Sequence, residues 1–157
     1  MQNAKCKVQA RVLLVEDAFR SRLDLAPLRR IARRAAMEQG LRRGALNVVL
    51  TGDEDLRRLN RVHRGIDAPT DVLSFPLGEG FSEDDVLGEV YISLPYARRR
   101  ASQRRRALQR EVLHLMVHGI LHLAGYDHQT DEAWQDMEQE TRRYTGTRQQ
   151  ATGNSKT

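Results

Sequence analysis

Three of the five histidines lie close together, at His118, His122 and His128. The spacing, His-x3-His-x5-His, suits a transition metal that keeps an open coordination position. On a helix, His118 and His122 fall one turn apart on the same face. Gly125 then stands where a glycine ends a helix in the left-handed conformation, so the chain can turn and bring His128 back toward the first two rings. Three imidazoles about 2.0–2.1 Å from one zinc, with water as fourth ligand, form the catalytic pattern rather than the closed structural one. Imidazole also suits copper, iron and nickel; zinc is the default because it needs no redox partner and favours four ligands. The bland alternative is three core or boundary histidines with their hydrogen bonds satisfied, and the glycine placed between the second and third weighs against it. His114 lies one turn further back on the same face. As a fourth ligand it would close the site, so it is expected beside the metal as a supporting residue.

Position 119 narrows the chemistry. In HExxH metallopeptidases the residue after the first histidine is the glutamate that acts as general base. The longer HExxHxxGxxH pattern shares the histidine spacing and the glycine found here, but this chain has Gly119 in place of the base. A metal could still acidify water toward a pKa of ~7. A phosphodiester hydrolase could use that hydroxide, given positive charge nearby to offset the charge developing on the phosphate.

The elements that must position these residues are readable from periodicity and caps. Ala107–Leu123 is apolar over most of its circumference and contains no proline, as expected of a buried helix carrying His118 and His122. Upstream, Val8–Val15 reads as a strand, Ala26–Gln39 as a helix with Pro27 in its first turn, and Leu46–Leu50 as a short strand. Thr51-Gly52-Asp53 reads as a turn with Asp53 as N-cap, leading into a helix over Glu54–Val62. Asp71–Phe75 and Val90–Ser93 are strand candidates. Ser93 caps a helix with Pro95 in its first turn that carries the run Arg98–Arg106, and a last helix spans Asp131–Tyr144, with Trp134 and Met137 most simply in the core. The order β-α-β-α-β-β-α-α-α predicts an α+β fold: a small mixed sheet of about four strands packed by about five helices, with the metal site on a central helix. Residues 1–145 are expected to form a single domain, and residues 146–157 a polar, disordered tail.

A chain of 157 residues with a hydrophobic fraction of 39% supports one core and not two. The net charge is +5, and the basic residues are 23 Arg against 3 Lys. Arg20–Arg43 and Arg98–Arg110 are basic, whereas Glu79–Glu89 and Asp131–Glu140 are acidic. Such polarity could steer a polyanion such as RNA, or be no more than the solvated faces of helices. The single Cys6 cannot form an internal disulfide, no apolar signal core opens the chain, and no segment approaches ~18 apolar residues; a soluble, cytoplasmic protein is expected.

Three blocks carry a family resemblance. His118-Gly119-x-Leu121-His122-Leu123-x-Gly125-Tyr126-Asp127-His128 resembles the signature of the YbeY endoribonucleases. Leu59-Asn60-x-x-His63-Arg64-Gly65-x-Asp67-x-Pro69-Thr70-Asp71-Val72-Leu73-Ser74-Phe75-Pro76 is similar to that family's second block, and Leu87-Gly88-Glu89-Val90-Tyr91-Ile92-Ser93 to its third. Glu89 stands where Asp is more usual, and His63 where Tyr is frequent. The resemblance spans roughly residues 8–145. It implies a single-strand-specific, metal-dependent endoribonuclease that matures the 3′ end of small-subunit ribosomal RNA and serves ribosome quality control. It also implies zinc on His118, His122 and His128, with Arg64 as a functional arginine. The expected partners are single-stranded ribosomal RNA and the small ribosomal subunit, with neither membrane nor DNA. By its chemistry Arg64 could hold the scissile phosphate; otherwise it is a surface arginine on a turn. Asp127 could orient a ligand imidazole or simply shape the turn between Gly125 and His128. Asp71 and Ser74 could be satisfied loop or strand-end groups. Two other readings remain beside the ribonuclease: a zinc metallohydrolase or peptidase, which the absent glutamate disfavours, and a non-catalytic ribosome-associated RNA-binding protein whose metal braces the fold.

Overall fold

A computed structural model describes residues 11–16, 22–42, 44–77 and 86–146. Its elements follow the expected order: β1 (Arg11–Glu16), α1 (Leu25–Glu38), β2 (Ala45–Thr51), α2 (Asp53–Arg64), β3 (Val72–Pro76), β4 (Val86–Ser93), α3 (Leu94–Gln103), α4 (Leu108–Leu123) and α5 (Asp131–Thr145). The fold is α+β. Four strands form one mixed sheet in the order β1-β2-β4-β3, with β1, β2 and β4 parallel and β3 antiparallel along one edge.

Alternation along the strands assigns the two faces. Leu46, Val48 and Leu50 of β2, with Val90 and Ile92 of β4, are fully buried on one face. There they join Leu28, Ala32, Ala35 and Ala36 of α1 and Val112, Met116, Ile120 and Leu121 of α4 in one core, to which α5 adds Met137 and Tyr144. On the other face α2 lies over β3 and β4. Its His63 ring meets Phe75, whose registered neighbourhood on β4 includes Tyr91. Helix α4 thus runs through the middle of the apolar layer, which is why its sequence is hydrophobic almost all round.

Local signals fix most boundaries. Asp24 caps α1 by accepting a hydrogen bond from the Ala26 N–H, Ser93 caps α3 through Tyr96 N–H, and Thr130 caps α5 through Ala133 N–H. Four expectations are corrected. Gly52, not Asp53, is the N-cap of α2, and it makes no side-chain cap bond. Asp53 instead accepts hydrogen bonds from the Ser93 hydroxyl at 2.6 Å and the Arg99 guanidinium at 3.0 Å, tying α2 to α3. Strand β4 begins at Val86, four residues before the expected start. The arginine run is split: α3 ends at Gln103, and Arg104–Ala107 form the elbow into α4. Trp134 is 50% exposed and does not belong to the core, although Met137 does. The first residues of the Val8–Val15 strand and residues 147–157 of the tail lie outside the described residues, as do residues 78–85. No helix among the described residues is long and apolar enough to cross a membrane.

Candidate metal centre and active-site cleft

The end of α4 builds the site. Ala124 is the C-cap, Gly125 follows with φ +106°, and two bonds close the turn: Gly125 N–H to the His122 carbonyl at 3.1 Å and Tyr126 N–H to the Leu121 carbonyl at 3.0 Å. This is the Schellman arrangement, and its left-handed residue accepts glycine at no steric cost. Asp127 continues the turn by accepting from Gln129 N–H at 3.3 Å. The chain therefore doubles back, and His128 comes to rest 5.8 Å from His118 and 5.0 Å from His122, ring centre to ring centre; His118 and His122 are 4.8 Å apart. One ring nitrogen from each of the three lies within 4.8 Å of the others. The donor set fits a single borderline-soft cation shared by three imidazoles.

The electrostatics of His118 and His122 suit ligation, which requires neutral imidazole. Burial, followed by the neighbouring His122, His114 and His128, pushes His118 down to about 3. His122 is also lowered, by burial and then by His128, while a hydrogen bond to the Tyr126 backbone pulls the other way; Asp127 and Arg64 act on it more weakly, with opposite signs. Burial lowers His114 as well. Its ring stacks 6.5 Å from His118 on the side away from His122, outside the three-histidine group.

The three rings line a cleft of about 760 Å³ that wraps around the free edge of β3. One wall is α4 with His118, His122 and Leu123; the floor is Val72–Pro76; the opposite wall is the end of α2, with His63 and Arg64. Arg64 is the last residue of α2, exposed, and free of ion pairs among the described residues, so its guanidinium faces the cleft without a competing carboxylate. The loop that follows is braced to the helix: Asn60 Nδ2 donates to the Ala68 carbonyl at 2.9 Å, and Arg57 pairs with Asp67 at 2.8 Å. The Asp71 carboxylate accepts from Val72 N–H at 2.8 Å and from Arg100 at 3.2 Å, and the Ser74 hydroxyl donates to the Gly119 carbonyl at 2.9 Å. Both are satisfied groups that hold the wall together.

Gly119 has a second meaning. A Cβ built there would lie 2.5 Å from Val90 Cγ1 and 3.0 Å from Ser74 Oγ. Helix α4 sits so close to β3 and β4 at this point that no side chain fits, a glutamate included. The position that carries the base in HExxH peptidases here faces the sheet, not the cleft.

A family model described as Endoribonuclease YbeY matches residues 15–148. The chain belongs to the YbeY endoribonuclease family. Curated relatives named Endoribonuclease YbeY include one from Sulfurihydrogenibium sp. (strain YO3AOP1), 42% identical over 78% of this chain and 81% of the relative. Another, from Moorella thermoacetica, is 44% identical over 73% of this chain and 80% of the relative. A solution structure of a Thermotoga maritima protein shares the fold, with a TM-score of 0.58 and 29% identity, covering 89% of this chain and 93% of that one. The chain is thus an endoribonuclease that acts on RNA. The peptidase and non-catalytic readings are set aside.

Two features of the cleft escape motif reading. The His63 and Phe75 rings meet at 4.6 Å, tilted by 47°, on its outer wall, which needs the β3–α2 packing to be known. The Tyr126 backbone partners His122, and backbone atoms leave no mark in a sequence pattern. The only available signal was position: His63 immediately precedes Arg64.

Proposed function

We propose that His118, His122 and His128 hold a zinc ion and that Arg64 binds the scissile phosphate of single-stranded RNA lying in the cleft. The observation that carries this reading is the convergence of three imidazoles and one unpaired guanidinium on the same 760 Å³ space. Zinc bound there supplies Lewis acidity and draws the pKa of water toward neutrality. Arg64 supplies a planar fork of donors for phosphate oxygens and stabilises the charge that accumulates on them. The Tyr126 backbone orients His122, His114 supports His118 from behind, and Asp127 holds the turn that presents His128. The family resemblance extends the proposal to maturation of the 3′ end of small-subunit ribosomal RNA and to quality control on the small ribosomal subunit, in the cytoplasm.

The test is a chelation and add-back assay on a defined single-stranded RNA. Cleavage should vanish with chelator, return with zinc, and be absent from His122→Ala, which should also lose bound zinc while remaining folded. Full cleavage by His122→Ala in a preparation free of other nucleases would overturn the mechanism.

A further inference from the structure

Behind His118 lies a second cavity, of about 250 Å³, that the catalytic reading does not use. Asp71 and His118 line both this cavity and the cleft, so the two adjoin across those residues. Its other walls are Arg100 and Arg104 from α3 and its elbow, His114 and Leu115 of α4, and Trp134 and Glu138 from the first turns of α5. We propose that it is a nucleobase subsite, holding a base of the bound RNA next to the nucleotides at the metal centre, with the base stacked on Trp134. The proposal rests on RNA being the substrate and adds where the strand runs.

Trp134 is the strongest indication. It heads the stripe Trp134-Met137-Thr141-Tyr144, spaced to share one face of α5. The other three are 2%, 1% and 4% exposed, yet the indole is 50% exposed. An indole left at the mouth of a cavity is the stacking platform that single-strand binders present, because every base offers a π-face. The cavity is smaller than the ~300–1,000 Å³ of pockets for drug-sized ligands, a size suited to one heterocycle.

The polar lining selects a base over a bare phosphate. Asp71 and Glu138 would repel an anion inside the cavity, but the carboxylate lone pairs not taken by Val72 N–H, Arg100 and Arg142 can accept the amino and imino N–H groups of a base edge. Arg100 is fixed by Asp71 at 3.2 Å and by Glu111 at 3.8 Å, and Arg104 by Glu111 at 3.5 Å. Each guanidinium has five N–H donors, so after these bonds some remain for a backbone phosphate at the rim. The arginine side chains are thus held in place before RNA arrives.

The protein's single tryptophan makes the test direct. The zinc-loaded protein is titrated on ice with a fluorescein-labelled single-stranded RNA octamer. Anisotropy and Trp emission are followed together, and RNA integrity is checked on a gel afterwards. Binding should quench Trp134 in step with the anisotropy. Trp134→Ala should weaken binding on the order of 10- to 100-fold, the loss expected for one stacked base, while Trp134→Phe keeps most of the affinity. Both variants should show the parent's circular dichroism and zinc content. Saturating anisotropy with unchanged Trp emission, or an alanine variant that binds like the parent, overturns the subsite and leaves the ribonuclease reading intact. Absence of any anisotropy change overturns the RNA reading, and the subsite with it.

Discussion

Gly119 and Arg64 show how differently two residues of the same cleft can be read. From its place in the histidine motif, Gly119 marks a lost general base; in the fold, it marks a contact. Its carbonyl accepts the Ser74 hydroxyl, and its bare Cα lets α4 approach Val90. Gly→Ala within a helix would by propensity alone gain up to ~1 kcal/mol. Here the new methyl meets Val90 at 2.5 Å, and overpacking of this kind costs ~1–3 kcal/mol. Gly119→Ala should therefore lower the urea midpoint; a variant as stable as the parent would mean that the helix and sheet are less tightly apposed. Arg64 is the reverse case. Its residue type and the glycine after it would suit any exposed arginine on a turn; only the family block around it singles it out in the sequence. In the fold it shares a cleft with the three imidazoles, which is the basis of the role proposed for it. Arg64→Ala should keep its fold and metal content and lose on the order of 10²- to 10³-fold in kcat/KM, the range for removing one donor to developing charge. Steady-state cleavage beside zinc analysis would check both halves.

At the scale of elements, order and type were readable because they rest on short-range physics. Ser93 announces the start of α3 and Gly125 the end of α4, each through a bond or backbone angle made within a few residues; Asp24 and Thr130 cap α1 and α5 in the same local way. Long-range partners were not readable. The run Arg98–Arg106 looks like a surface for polyanions, yet Arg100, Arg104 and Arg106 all converge on Glu111, which is fully buried at the start of α4. Arg99 is engaged with Asp53. Much of the cluster is thus a clamp that sets the α3–α4 elbow, and Arg98, Arg105 and Arg110 are left without ion pairs among the described residues. Trp134 misled for the same reason, since helical periodicity gives the face of α5 and not what covers it. Removing one member of a buried ion pair costs ~3–5 kcal/mol because the others stay charged. The three arginines here reach solvent, so Glu111→Gln should fall at or below the lower end of that range. It should also loosen the elbow, seen as faster amide exchange over residues 104–111.

For the whole molecule, a metal held by the histidine cluster would couple to protons and to stability. His118 has its folded pKa near 3, against an ordinary value of 6.5, and His114 and His122 are lowered too. A histidine whose pKa is lower in the folded state is protonated more readily when unfolded. Between the two values the unfolded chain binds more protons, so stability falls as pH falls. The chelated protein should accordingly lose stability on going from pH 7 toward pH 5. The lowered carboxylates act later. Glu38, held down first by its hydrogen bond from Tyr144, and Asp53, where bonds from Arg99 and Ser93 outweigh burial, withdraw their contributions only below their ordinary values of 4.5 and 3.8. Zinc should raise the midpoint at pH 7, because it would bind the folded arrangement of the three rings in preference to the unfolded chain. That gain should shrink through the same pH window as protons compete for the imidazoles. Thermal unfolding of chelated and zinc-loaded protein from pH 7.5 to 4.5 reads both effects. A chelated protein whose midpoint stays flat down to pH 5 would mean that His114, His118 and His122 are not packed as neutral imidazoles before the metal binds.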